Sequence, residues 1–266
     1  MTHPFDRDTA LEPVAAGRWR ADVSEHWFVE RGPNGGFVAA LAARALTLTA
    51  GADRPPRSLT LHFLRAPVAG ELAVSCAVER EGRSTTFQSL RFEQDGATVA
   101  LGLGCCAAWR EGQPEWHDVD APEVASPEQC ERIPQGVPGA PRFLVNYEMR
   151  PAFGAATPGP ARTGGWIRSA EARALDAVLL AALTDAWVPS AFLRMPERSF
   201  VPTLDLTVHW RAPLEAGAGG HPWVLGAFTT RLAAGGVWEE DGELWSADGV
   251  LLAQSRQLAI VRAARK

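Results

Sequence analysis

The sequence repeats one segment in its two halves. The first copy reads Ser58-Leu-Thr-Leu-His-Phe-Leu-Arg-Ala-Pro67, and the second reads Thr203-Leu-Asp-Leu-Thr-Val-His-Trp-Arg-Ala-Pro213. Each copy follows an apolar helical stretch and precedes strand-like runs with an Asp-Gly turn, at Asp95-Gly96 and at Asp248-Gly249. A repeat spacing of roughly 150 residues is far longer than solenoid or propeller units and matches a small domain. The chain is therefore expected to contain two copies of one α+β unit.

Length and charge restrict the classes of protein to consider. A chain of 266 residues with 46% hydrophobic and 21% charged residues can bury a sizeable core, in one large or two small domains. The net charge of −5 argues against a nucleic-acid-binding surface, which requires clustered Lys and Arg. The N-terminus lacks an apolar signal core, and no run of about 20 apolar residues is present. A cytoplasmic protein without a membrane span is the expectation.

The cysteines and histidines do not indicate a metal or redox site. The cysteines have no C-x-x-C spacing, and two of them are adjacent inside an apolar strand pattern, so buried structural thiols are expected. The histidines are scattered without ligand spacing, and His62 and His209, at nearly equivalent places in the two repeats, are interpreted as sheet residues. The four cysteines are Cys76, Cys105, Cys106 and Cys130.

The first repeat has the pattern of a helix followed by antiparallel strands. After the turn at Asn34-Gly35-Gly36, residues 37–48 contain no helix breaker and are apolar on nearly every side, which predicts a buried helix. A central helix wrapped by a long antiparallel sheet is the architecture that this order predicts. Strands are expected at 17–23 and 27–30 before the helix, and at 58–64, 72–81, 85–94 and 97–109 after it.

The second repeat has the same order of elements. A stretch rich in Pro, Glu, Asp and Gly separates it from the first repeat. The predicted organisation is an N-terminal unit at 1–115, a linker at 116–142 and a C-terminal unit at 143–266. Within the C-terminal unit a helix is expected at 175–192, with strands at 203–211, 223–232, 237–246 and 249–261.

Asp185 is the first candidate for chemistry. In a helical projection it falls at the edge of the apolar face, beside Val178, whereas Asp176 is expected to face solvent. A carboxylate at an apolar edge loses hydration, which raises its pKa and makes it a better base near neutral pH. The alternative is an Asp that stabilises the end of the helix.

Gln257 and Thr203 are the candidates on strands. Gln257 lies on the small apolar face of the last predicted strand, so it is expected to point inward and to need a hydrogen-bond partner. It would either position a water next to an Asp or serve as a structural hydrogen-bonding group. Thr203 shares its parity with the more exposed positions of its strand, so it faces solvent unless a bend at Pro202 turns it inward.

The Asn34-Gly35-Gly36 turn is a candidate for the stabilisation of negative charge. Backbone N–H groups at a helix N-terminus stabilise charge that develops on an oxygen, which would give Gly35 and Gly36 an oxyanion role. A plain turn is the alternative interpretation. The sequence contains no G-x-S-x-G, H-E-x-x-H or G-x-x-x-x-G-K-S/T motif, so nothing indicates a serine nucleophile, a zinc protease site or a P-loop.

These residues resemble the acyl-CoA thioesterase II family, double-hotdog enzymes that hydrolyse acyl-CoA thioesters. The family's catalytic set is an Asp on the second helix, a Thr at the start of the following strand and a Gln on the last strand. Asp185, Thr203 and Gln257 match this set in type and order. The resemblance covers nearly the whole chain and includes Gly35-Gly36, Ser58 to Pro67, Glu148 to Pro151, Trp166 to Arg168 and Asp248 to Arg262.

The resemblance implies a tandem hotdog fold of the α+β class, each unit being a central helix wrapped by an antiparallel sheet. It implies hydrolysis by a water that Asp185 activates with help from Thr203 and Gln257. The Gly35 and Gly36 N–H groups would stabilise the oxyanion, no metal or redox cofactor would be needed, and the chain would form a homo-oligomer. Acyl-CoA is the implied substrate.

Two other functions remain open at this point. One is a non-catalytic acyl-CoA or lipid-binding protein that kept the fold and lost turnover. The other is an enoyl-thioester hydratase, which resembles a different pattern with a His about five residues after the Asp. The residues that follow Asp185 are Ala-Trp-Val-Pro-Ser and include no His.

Overall fold

The computed structural model describes residues 2–110, 112–154, 159–195, 201–214 and 220–261. Within these ranges the chain forms three α-helices and one antiparallel sheet of thirteen strands. The helices are α1 (Pro4–Asp8), α2 (Gly35–Ala50) and α3 (Ala177–Leu183). The strands are β1 (Glu12–Ala15), β2 (Arg18–Val23), β3 (Pro56–Phe63), β4 (Gly70–Glu81), β5 (Thr85–Gln94), β6 (Ala97–Ala107), β7 (Tyr147–Phe153), β8 (Ala161–Ser169), β9 (Thr203–Trp210), β10 (Val224–Thr230), β11 (Ala233–Ala234), β12 (Val237–Ser246) and β13 (Leu251–Ile260).

The sheet is built symmetrically from the two halves of the chain. From its centre outward the first half contributes β3, β6, β5, β4, β2 and β1, and the second half contributes β9, β13, β12, β10, β8 and β7. The halves join where β3 pairs with β9, so the two copies of the repeated segment pair with each other. Thr60 and Thr207 face each other there and share a hydrogen bond of 3.0 Å between their Oγ1 atoms. The predicted tandem hotdog architecture is therefore confirmed.

Helix α2 forms the centre of the core. Phe37, Leu41 and Leu46 are fully buried, as expected for a helix that is apolar on all sides and wrapped by a sheet. Helix α2 packs directly against α3. A Cβ on Gly36 would lie 2.3 Å from the main-chain oxygen of Ala182, so only glycine allows the two helices this close approach.

The second long helix is shorter than predicted. Helix α3 ends at Leu183, and the rest of the predicted range holds a turn and a 3-10 helix at Ser190–Leu193. The N–H groups of Thr184 and Asp185 bond to carbonyls three residues back, a tighter pattern than that of an α-helix. Asp185 therefore lies in the turn that follows the helix and not on the helix itself.

One further expectation was incomplete and another was wrong. Asp176 keeps 47% of its side-chain surface exposed, as expected, but its carboxylate also caps α3 by accepting the Leu179 N–H at 2.8 Å and pairs with Arg173. The strand expected at 27–30 is replaced by a 3-10 helix at Glu25–Trp27 and a single bridge between Phe28 and Pro33. The remaining predicted strands occur within a few residues of their expected positions.

The cysteines and histidines singled out above occupy structural positions. Cys76 and Cys106 are buried, Cys105 and Cys130 are partly buried, and all four are free thiols. Burial raises the pKa of Cys106 to about 12, which leaves it an unreactive thiol at neutral pH. His62 and His209 lie on β3 and β9, as predicted for sheet residues. Among the described ranges, no helix has both the length and the hydropathy to cross a membrane.

Candidate active site

Asp185 lies where the second half of the chain meets the N-terminus of α2 from the first half. Its Oδ2 accepts the Gly36 N–H at 3.0 Å, and its main-chain oxygen accepts the Asn34 Nδ2–H at 3.3 Å. A Cβ on Gly35 would lie 2.9 Å from the same carboxylate oxygen. A helix N-terminus carries unpaired N–H groups and the positive end of the helix dipole, both of which stabilise a carboxylate. The first repeat thus anchors a side chain of the second.

The surroundings of Asp185 change its acidity. Burial raises the pKa of Asp185 to about 6, while hydrogen bonds from the Gly36 and Gly35 N–H groups and from the Gln257 amide oppose the rise. The residue retains some accessible surface, so it is not sealed in the core. A carboxylate with this pKa is mostly ionised at neutral pH and is also more basic than an ordinary Asp. It has the properties of a general base.

The two Gly N–H groups were predicted to face a substrate oxyanion. In this structure the Gly36 N–H donates to Asp185, and the Gly35 N–H also lowers the pKa of that carboxyl group. The Gly36 N–H therefore holds the carboxylate in place, and the Gly35 N–H adds to its stabilisation. Their role toward an oxyanion stays a prediction.

Gln257 connects the other two predicted residues. It points inward, as predicted, and only 5% of its surface is exposed. Its Oε1 accepts a hydrogen bond of 3.0 Å from the Thr203 hydroxyl, and its amide lies close enough to Asp185 to lower the pKa of that carboxyl group. The structure therefore brings Asp185 and Thr203 together at the amide group of Gln257.

Thr203 reaches this amide because β9 contains a β-bulge. Asp205 pairs with Leu258 and Thr203 pairs with Ala259, so Leu204 is an extra residue without a partner on β13. A bulge changes the direction of the side chains that precede it. Thr203 consequently faces inward, although its parity with Asp205 predicts the exposed face. The expected bend is present, but it lies one residue beyond Thr203 and not at Pro202.

Glu240 on β12 is a second buried carboxylate that the sequence analysis did not identify. Only 4% of its surface is exposed. Its Oε1 accepts the Gln257 Nε2–H at 2.9 Å, and its Oε2 accepts the main-chain N–H and the hydroxyl of Ser190 at 2.6 and 2.7 Å. The Ser190 hydroxyl also lies 2.9 Å from the Thr230 hydroxyl. Glu240 is thus held from two sides and contacts the predicted site through Gln257.

Burial is also the main influence on the charge of Glu240. It raises the pKa of Glu240 to about 7, the negative charge of Asp185 raises it further, and hydrogen bonds from Ser190 and Gln257 oppose the rise.

The sequence did carry a signal that Glu240 points into the core. Glu240 has the same parity as Trp238 and Leu244, which face the core, so alternation alone places this Glu inward.

Family models match both halves of the chain. Residues 23–107 match the acyl-CoA thioesterase N-terminal domain, and residues 120–261 match the acyl-CoA thioesterase C-terminal domain. No curated protein gives a significant match.

Solved structures share the fold over the full length. A hotdog-fold protein of unknown function from Alicyclobacillus acidocaldarius is 28% identical, with 100% of both chains covered and a TM-score of 0.89. A presumed thioesterase from Novosphingobium aromaticivorans DSM 12444 is 26% identical, with 96% of this chain and 99% of that chain covered and a TM-score of 0.82. Acyl-CoA thioesterase II TesB2 from Mycobacterium marinum is 19% identical, with 98% of both chains covered and a TM-score of 0.79, a likeness of fold alone. Because the C-terminal model alone spans more than half of the sequence, the chain belongs to the acyl-CoA thioesterase family.

Proposed function

We propose that the chain hydrolyses acyl-CoA thioesters to a carboxylic acid and CoA, with Asp185 as the general base. The observation that carries the proposal is the state of the Asp185 carboxylate. It is fixed on the N-terminus of α2, and burial raises its pKa to about 6. Membership of the acyl-CoA thioesterase family supports a thioester substrate.

The proposed reaction is a direct attack by water. Asp185 removes a proton from the water as its oxygen attacks the thioester carbonyl, and Thr203 and Gln257 orient that water. The tetrahedral intermediate then collapses, the carbon–sulfur bond breaks, and the proton on Asp185 passes to the leaving thiolate. A thiol has a pKa near 8.5, so the proton moves from the weaker base to the stronger one. No covalent acyl-enzyme is formed.

The test is free-thiol release from a panel of short- to long-chain acyl-CoAs by the wild type and by Asp185→Asn. We expect the substitution to lower kcat by about 10²- to 10⁴-fold, the usual contribution of a general base. Asp22→Asn is the matched control, because Asp22 is an exposed residue of β2 in the other half of the chain. It should retain the wild-type rate.

Other outcomes would each reject part of the proposal. Wild-type turnover that survives Asp185→Asn, in a folded variant, would remove Asp185 from the role of base. Tight binding of acyl-CoA without thiol release from any substrate would identify a non-catalytic binding protein instead.

A further inference from the structure

Glu240 is a buried carboxylate that the proposed hydrolysis does not use. It lies behind Gln257 and does not contact Asp185 or Thr203 by a hydrogen bond among the described residues. A buried carboxylate is costly unless it is paired and hydrogen bonded, and no Arg, Lys or His within the described ranges forms an ion pair with Glu240. The cost of burying this charge suggests that the hydrogen bonds of Glu240 have a specific role.

We propose that Glu240 is a positioning residue that fixes the orientation of the Gln257 amide and, through it, the direction of the Thr203 hydroxyl. The inference rests on the proposed function, because it assigns a role within the same site.

The first step of the argument concerns Gln257. An ionised carboxylate only accepts hydrogen bonds, so Glu240 requires the NH₂ end of the Gln257 amide to face it. The carbonyl end then faces Thr203, and the second N–H is available to Asp185. The two ends of the amide then each have a partner of the matching kind. The reverse orientation would aim the Gln257 carbonyl oxygen at a carboxylate.

The second step concerns Thr203. Because Gln257 Oε1 only accepts, the Thr203 hydroxyl must donate its proton to it at 3.0 Å. The lone pairs of Thr203 Oγ1 are then the groups left for a water. A water that gives one proton to Asp185 and the other to Thr203 directs its own lone pair away from both, toward the thioester carbon. The charge on Glu240 thus specifies which way the nucleophile points.

Glu240→Gln tests this chain of bonds with little change in shape. The Ser190 main-chain N–H can only donate, so the oxygen of the new amide must face Ser190 and its NH₂ must face Gln257. The NH₂ group of the new amide would then face the NH₂ group of Gln257. The Gln257 amide avoids this contact only by rotating by about 180°, which points its NH₂ group at Thr203. We expect kcat to fall about 10- to 100-fold, the loss seen when a residue that orients a metal ligand from behind is changed, with KM little changed.

The matched control is Glu243→Gln, the same chemical change on the same strand. Glu243 alternates with the inward residues of β12 and lies in an open groove on the outer face of the sheet. This variant should retain the wild-type kcat. Thermal unfolding of both variants shows whether any loss comes from misfolding.

A double-mutant cycle with Thr203→Val separates positioning from a general structural effect. If Glu240 acts through Thr203, adding Glu240→Gln to Thr203→Val should lower kcat by no more than about twofold further. Multiplied losses in the double variant, or a wild-type kcat in folded Glu240→Gln, would overturn the proposal.

A measurement without substrate keeps this test separate from that of the proposed function. In protein labelled with ¹⁵N-glutamine, the side-chain NH₂ signal of Gln257, assigned by its loss in Gln257→Leu, reports its hydrogen-bond partner. We expect this signal to move in Glu240→Gln and to stay unchanged in Glu243→Gln. An unmoved signal would refute the role of Glu240 even if the wild type is an active thioesterase. A moved signal in a protein that releases no thiol would reject the proposed function and leave the control of Gln257 by Glu240 standing.

Discussion

Two carboxyl groups in one hydrogen-bonded network set the acidic limit of the proposed reaction. Asp185 must be unprotonated to act as a base. Glu240 acts as an acceptor on both oxygens only while it is unprotonated, because a protonated carboxyl group carries its own O–H donor. As pH falls, Glu240 takes up a proton near its pKa of about 7, and Asp185 near its pKa of about 6. We expect kcat/KM to decline with a midpoint close to the higher value, about pH 7, well above the usual range of a carboxyl group.

The pH profile also distinguishes the two groups. Among the described residues, Asp185 is the titratable group whose charge acts on Glu240, and Ser190 and Gln257 are its hydrogen-bond partners. Just below pH 7 the wild-type rate should fall more steeply with pH than a single titrating group allows, whereas Glu240→Gln should show the dependence of one group, with a midpoint near pH 6. A wild-type midpoint near pH 4, measured on kcat/KM, would contradict a raised pKa for either carboxyl.

The same pKa shifts predict how Asp185 affects stability. Its pKa is raised in the folded state, so the folded chain binds this proton more tightly than the unfolded chain, and ionisation destabilises the fold as pH rises through about 4 to 6. The neutral Asn of Asp185→Asn avoids this penalty and its oxygen still accepts the Gly36 N–H. We expect the Tm of the variant to equal or exceed that of the wild type at about pH 8, with a smaller difference at about pH 5. A Tm that falls at the higher pH would show that the ionised carboxylate stabilises the fold.

At the scale of elements, the contact between α2 and α3 determines where Asp185 lies. Gly36→Ala places a methyl group against the Ala182 main-chain oxygen, so the two helices must separate. We expect a destabilisation of about 1 to 3 kcal/mol, typical of overpacking, and a loss of kcat. Chemical denaturation and thiol release measure the two effects.

Gly35→Ala is the informative comparison for that variant. Its methyl group would meet the end of the Asp185 side chain, which can move, and the edge of the Phe63 ring. We therefore expect Gly35→Ala to lower kcat while it leaves the free energy of unfolding near the wild-type value. Equal destabilisation by the two variants would contradict the distinction between the two glycines.

The helices and strands also show which features of the fold can be predicted from the local sequence. Most strands were predictable because alternation and the Asp-Gly turns mark them directly, whereas β1, β7, β8 and β11 were not predicted. The end of α3 was not, since no Gly or Pro follows Leu183 until Pro189. The residue that bonds to the Asp185 carbonyl is Asn34, far away in the chain. The inward direction of Thr203 depends on a bulge defined by pairing with β13, and strand parity contains no information about it.

For the whole molecule, the duplicated fold carries this polar network in its second half. Gly104 follows the Asp95-Gly96 turn at the same distance as Gln257 follows Asp248-Gly249. A Cβ on Gly104 would lie 2.6 Å from the Leu46 side chain, so an apolar side chain fills the space that the amide of Gln257 occupies in the other half. The first half instead supplies the N-terminus of α2. Each half has specialised for one part of a shared site.

Because each half supplies one part of the shared site, we expect the two halves to unfold together. The sheet runs without interruption through the β3–β9 pair, α2 packs on α3, and Gly36 bonds to Asp185 across the halves. Neither half can separate without exposing the core around α2, so we expect one cooperative transition by calorimetry, with near-ultraviolet circular dichroism and thiol release lost at the same temperature. The Trp residues that report this signal occur in both halves, among them Trp27 and Trp238, which are both buried. Two resolved transitions, with thiol release lost in the first, would show instead that the halves are independent folding units.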